Sequence, residues 1–201
     1  MALGPPPRQF HKLALQTVTI NPAQLFRVSR HDCDEPYFGR SGVNRFDDTS
    51  SPKYRRMGTC YFGLSLTVAT AETILHDEMP THGKFDIAVQ EFENRFLVTF
   101  GGSNLVLADL TGPALKALAG DGSMSTIMPP TLPQQWSRAI LAHPQDLDGI
   151  LYMSRHINDD KAVVLFERAK NKLKSPKYQA LPDVPGAARA AMALRIQFSY
   201  G

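Results

Sequence analysis

The stretch Gly58-Thr59-Cys60-Tyr61-Phe62-Gly63-Leu64-Ser65-Leu66-Thr67-Val68-Ala69-Thr70-Ala71-Glu72 decides the fold class. Its first half is β-prone and closes on a glycine, so residues 59–63 are expected as a strand. Its second half has helical spacing. Ser65 or Thr67 can cap the helix, and Pro80 is the expected stop. Val68, Ala71, Glu72 and Leu75 share an i, i+3, i+4, i+7 face. A carboxylate on that otherwise apolar stripe costs free energy unless it is paired or hydrogen-bonded. Glu72 is therefore a candidate for chemistry. The ordinary alternatives are a buried structural ion pair, or a stripe that wraps to the surface. Glu78 is a rival carboxylate, but beside Asp77 near the helix end it reads as exposed.

Upstream of that block, residues 25–28 read as a short strand carrying Arg27, and residues 30–58 as a long irregular loop. Loops of that length inside a domain are uncommon and often functional. Downstream, residues 85–89 alternate like a half-buried strand. Residues 95–100 and 105–110 read as two strands around Gly101-Gly102-Ser103-Asn104, a hairpin-like turn. Helices are expected from Thr111 to Gly120, over 132–142 and over 187–194, with late strands at 149–153 and 162–167. Strands and helices do not alternate regularly, so a doubly wound parallel sheet is disfavoured. The expected class is α+β, a single domain with a central mixed, mainly antiparallel sheet flanked by helices.

The composition narrows the function classes. With 201 residues and 43% hydrophobic content, the chain can bury one sizeable core. A formal net charge of +3 is too mild for a nucleic-acid footprint and fits a small anionic ligand at least as well. Cys33 and Cys60 form no C-x-x-C pair and read as free thiols of a reducing compartment. The first residues carry Pro5, Pro6 and Pro7 but no apolar signal-peptide core, and no run approaches the roughly 18 apolar residues of a membrane span. A cytoplasmic protein with no membrane partner is the expectation. Motifs for a P-loop, a Rossmann dinucleotide site, a zincin or an α/β-hydrolase are missing. The six histidines are scattered and none pairs with another at i, i+4, so metal catalysis has no support.

Four more residues stand out. Arg27 points to the face opposite Phe26 and Val28, where it is either an edge-strand surface residue or a bidentate anion contact. Arg45 lies in Gly42-Val43-Asn44-Arg45-Phe46-Asp47, in a loop that also holds Arg40, Arg55 and Arg56; such pooled charge suits a pyrophosphate or plain solubility. Ser154 follows an apolar strand, where a serine is ordinarily a turn residue but can also donate to a ligand. Tyr61 sits on the strand before the Glu72 helix. Lys170, Lys172, Lys174 and Lys177 read as a solvated face.

The order of these blocks resembles the RES domain family, named for its Arg, Glu and Ser. Leu25-Phe26-Arg27-Val28 resembles the family's opening strand. Gly42-Val43-Asn44-Arg45-Phe46 is similar to its arginine–aromatic segment. Gly58 to Glu72 matches the tyrosine-to-glutamate block, and Gly149-Ile150-Leu151-Tyr152-Met153-Ser154-Arg155 the serine block. The likeness runs from about residue 25 to 167. The domain is set at 21–170, with residues 1–20 as an N-terminal arm and 171–201 as a C-terminal extension packing on or near it.

That resemblance implies a fold similar to ADP-ribosyltransferases and a toxin that depletes NAD⁺ by phosphorolysis or hydrolysis. It implies NAD as substrate, with no metal, and an Xre-like antitoxin as partner; a homo-oligomer is left open. Glu72, Arg27 and Tyr61 would be catalytic. Arg27, Arg45, Tyr61 and Ser154 would bind the dinucleotide: the arginines its diphosphate, Tyr61 the nicotinamide or ribose, Ser154 a ribose or amide group. The alternatives are an ADP-ribosyltransferase acting on a protein and a non-catalytic binding module of the same fold.

Overall fold

The computed structural model describes residues 3–50 and 52–200. In chain order the strands are β1 (Thr17–Ile20), β2 (Arg27–Ser29), β3 (Thr59–Gly63), β4 (Phe85–Ala88), β5 (Phe96–Gly102), β6 (Leu105–Leu110), β7 (Gly149–Met153), β8 (Lys161–Phe166), β9 (Leu173–Ala180) and β10 (Ile196–Ser199). The helices are α1 (Leu66–Ala71), α2 (Val89–Glu93), α3 (Gly112–Ala119), α4 (Thr131–Leu141) and α5 (Ala187–Ala193).

Three sheets form. The largest runs β1-β6-β7-β8-β3 and is antiparallel except for the β6–β7 pair. A second, wholly antiparallel sheet runs β2-β5-β9. β4 and β10 make a small parallel pair. Alternating side chains sort the apolar residues into layers. On one face of the large sheet, Ala108, Leu110, Ile150, Val164 and Phe166 meet Leu115 of α3 and Trp136 and Ile140 of α4. On the other, Leu107, Leu151, Val163 and Leu165 meet Val98 and Phe100 of the second sheet. That sheet's far face, with Val28 and Leu97, packs against Ala69 and Ala71 of α1 and Ala187 and Ala191 of α5. A sheet buried on both faces needs near-continuous apolar strands, which explains why β7 and β8 lack polar alternation. The architecture is α+β, with a mixed sheet flanked by helices in one domain. Among the described residues no helix is long and apolar enough to cross a membrane.

Several elements differ from the sequence expectation. β5 and β6 flank the expected turn but do not form a hairpin. Both edges of β5 are taken by β2 and β9, and both edges of β6 by β1 and β7. Gly102, at φ 130°, lets Ser103 and Asn104 pass the chain from one sheet to the other. α1 stops at Ala71, well short of Pro80, so Glu72 is its C-cap residue rather than a mid-helix one. The Thr70 hydroxyl bonds back to the Leu66 carbonyl at 2.8 Å, a contact that bends helices, and Ile74 and Leu75 are buried against the α5 layer in turns instead.

The expected N-terminal arm packs on the body. Its first two residues lie outside the described residues. Leu3 and Phe10 join the Trp136 cluster, the Trp136 indole donates to the Gly4 carbonyl at 2.8 Å, and β1 edges the large sheet. The segment from residue 171 contributes β9, α5 and β10. β9 is mostly exposed and polar almost throughout, so hydrophobic periodicity gives no sign of it, whereas Ile196 and Phe198 of β10 alternate with polar residues.

Candidate active site

The two sheets join where Phe26 and Gly63 exchange backbone hydrogen bonds of 2.9 and 3.0 Å. Beyond that joint they part, and a cleft of about 940 Å³ opens between them. That volume lies in the range of about 300–1,000 Å³ usual for small-molecule sites. Gly63 matters for the turn that follows: a Cβ there would sit 2.5 Å from the Ala69 amide nitrogen. The strand can then turn tightly into α1, capped by the Ser65 hydroxyl, and α1 delivers Glu72 to the cleft.

Arg27, Arg45, Tyr61 and Glu72 all line this cleft. Ser154 stands behind Glu72 and is 1% exposed. Its hydroxyl donates to Glu72 Oε1 at 2.6 Å and accepts from the amides of His156 and Ile157 at 3.1 Å each. The carboxylate on the apolar stripe thus has its partner, while its side chain keeps 19% exposure toward the cleft.

Arg27 is held by two contacts. Its Nε donates to Glu35 Oε2 at 2.8 Å and its Nη1 to the Tyr61 carbonyl at 3.2 Å. Burial works against its charge, but the Cys60 thiol and the Glu35 carboxylate raise its pKa above the ordinary value. Burial pushes the Cys60 thiol up to about 12, so near neutrality Glu35 is the counter-ion that acts. Glu35 is itself buried and accepts from the Tyr37 amide at 2.7 Å.

Tyr61 and Arg45 are tied to one buried carboxylate. Asp47 Oδ1 accepts from the hydroxyls of Thr59 and Tyr61 at 2.6 and 2.9 Å. Its Oδ2 accepts from the Ser41 hydroxyl and from the backbone of Gly42 and Asn44 at 2.8–3.2 Å. This fixes the loop around Arg45, and the fully buried Phe46 anchors it against Tyr152. Arg45 Nη1 donates to the Ile127 carbonyl at 2.8 Å. Burial and the nearby Arg155 lower its pKa, with Glu72 among the groups that oppose them. Burial, then Asp47, raises the Tyr61 pKa, so its ring lines the cleft with a neutral phenol.

Four further residues shape the site: Glu35, Asp47, Arg155 and His156. Arg155 lines the cleft, and its Nε donates to His156 Nε2 at 3.0 Å. Burial lowers the His156 pKa against the pull of Glu72, so the imidazole is neutral near neutrality. Asp47 and His156 adjoin residues singled out by sequence, but as loop polar residues they carry no periodic signal; only the fold brings them in. Cys33 is exposed and Cys60 buried, both as free thiols.

The family model described as the RES domain matches residues 24–185. The chain belongs to the RES domain family. A search of curated proteins finds no match. Among solved structures this RES domain resembles a chain of the M. tuberculosis MbcT–MbcA toxin–antitoxin complex. The TM-score is 0.55 over 90% of each chain, at 13% identity. At that identity the likeness concerns the fold, and it spans more of the chain than the family match does.

Proposed function

We propose that this RES-domain protein is a toxin that cleaves the bond between nicotinamide and ribose in NAD⁺, passing the ADP-ribosyl group to phosphate or water. The observation that carries the reading is Glu72: a carboxylate fixed by Ser154, open to the cleft, with Arg45 and Arg155 close by.

The chemistry follows from the charges. Breaking the glycosidic bond builds positive charge on the ribose, and a fixed carboxylate stabilises it without reorganising. Nicotinamide leaves neutral from a cationic ring, so the site needs no strong general acid. Arg27, pre-aligned by Glu35, takes the diphosphate, with Arg45 as the second cation. The Tyr61 ring offers a flat apolar face to nicotinamide or ribose. Ser154 acts through Glu72 as a positioning residue. Cytoplasmic action goes with that substrate.

An Xre-like antitoxin is the proposed partner. Tyr37, Val43 and Met128 line the mouth of the cleft and are 67%, 73% and 66% exposed. Such apolar rim residues suit a protein that caps the opening. The test of the reaction is product analysis of NAD⁺ incubated with purified protein, with and without phosphate. Nicotinamide and ADP-ribose, phosphorylated on its anomeric carbon when phosphate is present, are expected. Intact NAD⁺ under both conditions would sink the reading, and ADP-ribose on an added protein would replace it with transfer.

A further inference from the structure

Two histidines meet beside Glu72 that the proposed reaction does not use. His76 follows Glu72 by four residues; His156 arrives from the loop after β7. Their rings are 5.6 Å apart, and His156 Nε2 lies 3.9 Å from Glu72 Oε2. One ligating atom from each of Glu72, His76 and His156 falls within 4.8 Å of the others. In a tetrahedral site with bonds of about 2.0–2.1 Å, ligand atoms sit roughly 3.3 Å apart. Side-chain rotation closes that gap, and His76, with its side chain 43% exposed, is free to turn.

The lone pair needed is in place. Arg155 Nε donates to His156 Nε2, so that nitrogen carries no proton; its lone pair is held by Arg155, and the atom lies 3.9 Å from Glu72 Oε2. A metal ion would take over this lone pair and turn Arg155 away. The neighbouring arginines oppose a cation, so the site is one that loads and empties rather than a permanent structural one. Two imidazoles and one carboxylate suit zinc and its late first-row neighbours, not the all-oxygen preference of magnesium or calcium. Three protein ligands leave a fourth position to water.

We propose that Glu72, His76 and His156 bind a divalent ion of the zinc class, and that the bound ion inhibits the protein by occupying Glu72. The inhibitory half rests on the function proposed above; the binding half does not. The experiment titrates the purified protein with Co²⁺, whose tetrahedral complexes absorb visible light, displaces it with Zn²⁺, and follows NAD⁺ consumption in parallel. One ion per chain is expected. His76→Ala and His156→Ala should each weaken binding by at least the roughly 10- to 100-fold seen for loss of outer-shell partners. His76→Ala should still consume NAD⁺ and lose its sensitivity to Zn²⁺. No saturable binding, or binding unchanged in both histidine variants, overturns the site. Binding without inhibition of an active protein overturns the regulatory half. Histidine-dependent binding by a protein that never consumes NAD⁺ upholds the metal site and removes the function reading instead.

Discussion

The Ser154 hydroxyl makes three hydrogen bonds, one as donor to Glu72 and two as acceptor from backbone amides. A hydroxyl has one proton and two lone pairs, so none is left for a ligand. The expected outcome for Ser154→Ala is therefore a fall in kcat with little change in KM. A hydrogen bond to a charged group is worth about 1.5–3 kcal/mol, which corresponds to roughly 10- to 100-fold. Steady-state NAD⁺ consumption separates the two constants, and a change in KM alone would put Ser154 on the substrate. Glu35 makes the opposite prediction. It bonds Arg27 and makes no hydrogen bond to Glu72, so Glu35→Gln should loosen the guanidinium and raise KM about tenfold, with kcat nearly kept. A fall in kcat with KM unchanged would show that Arg27 acts mainly in the transition state.

At the scale of elements, the loop around Arg45 depends on one buried carboxylate. Removing Asp47 leaves the Thr59 and Tyr61 hydroxyls and two loop amides without their acceptor. Asp47→Ala should destabilise the protein on the order of 3 kcal/mol. For a chain of this size that lowers Tm by roughly 6–12 °C, readable by thermal unfolding. An unchanged Tm would mean that water replaces the carboxylate. The same elements mark what was legible in the sequence. β3, β6 and β7 stand where their apolar runs placed them, because burial on both faces leaves a continuous signal. Arg27, Arg45, Tyr61 and Glu72 reach one cleft, as their order in the chain suggested. The separation of β5 and β6 into different sheets was not legible in the same way, because strand edges are assigned by distant partners such as β9 and β1. Glu35, Asp47 and His156 were hidden for a related reason. Each is a polar loop residue whose burial is a product of tertiary packing, and local sequence carries no trace of that.

At the scale of the whole molecule, the domain is larger than its family match. The match begins at residue 24, yet β1 pairs along β6 and Phe10 stacks edge-on against Trp136 at 5.5 Å. Removing residues 1–20 should leave β6 with an unpaired edge and open the Trp136 face to water. Trp136 is the chain's single tryptophan, so its fluorescence reports directly. A shift to longer wavelength and a lower Tm are expected; unaltered emission would make the segment a true arm. The central claim, however, concerns the chemistry of the assembled cleft. The most direct measurement is cellular NAD⁺ after induction of the wild-type chain and of Glu72→Ala, with equal expression and folding checked by circular dichroism of the purified proteins. A collapse of NAD⁺ with the wild type and a normal level with the variant are predicted. Unchanged NAD⁺ with the wild type, in cells lacking an antitoxin, or an equal collapse with both, would contradict the account.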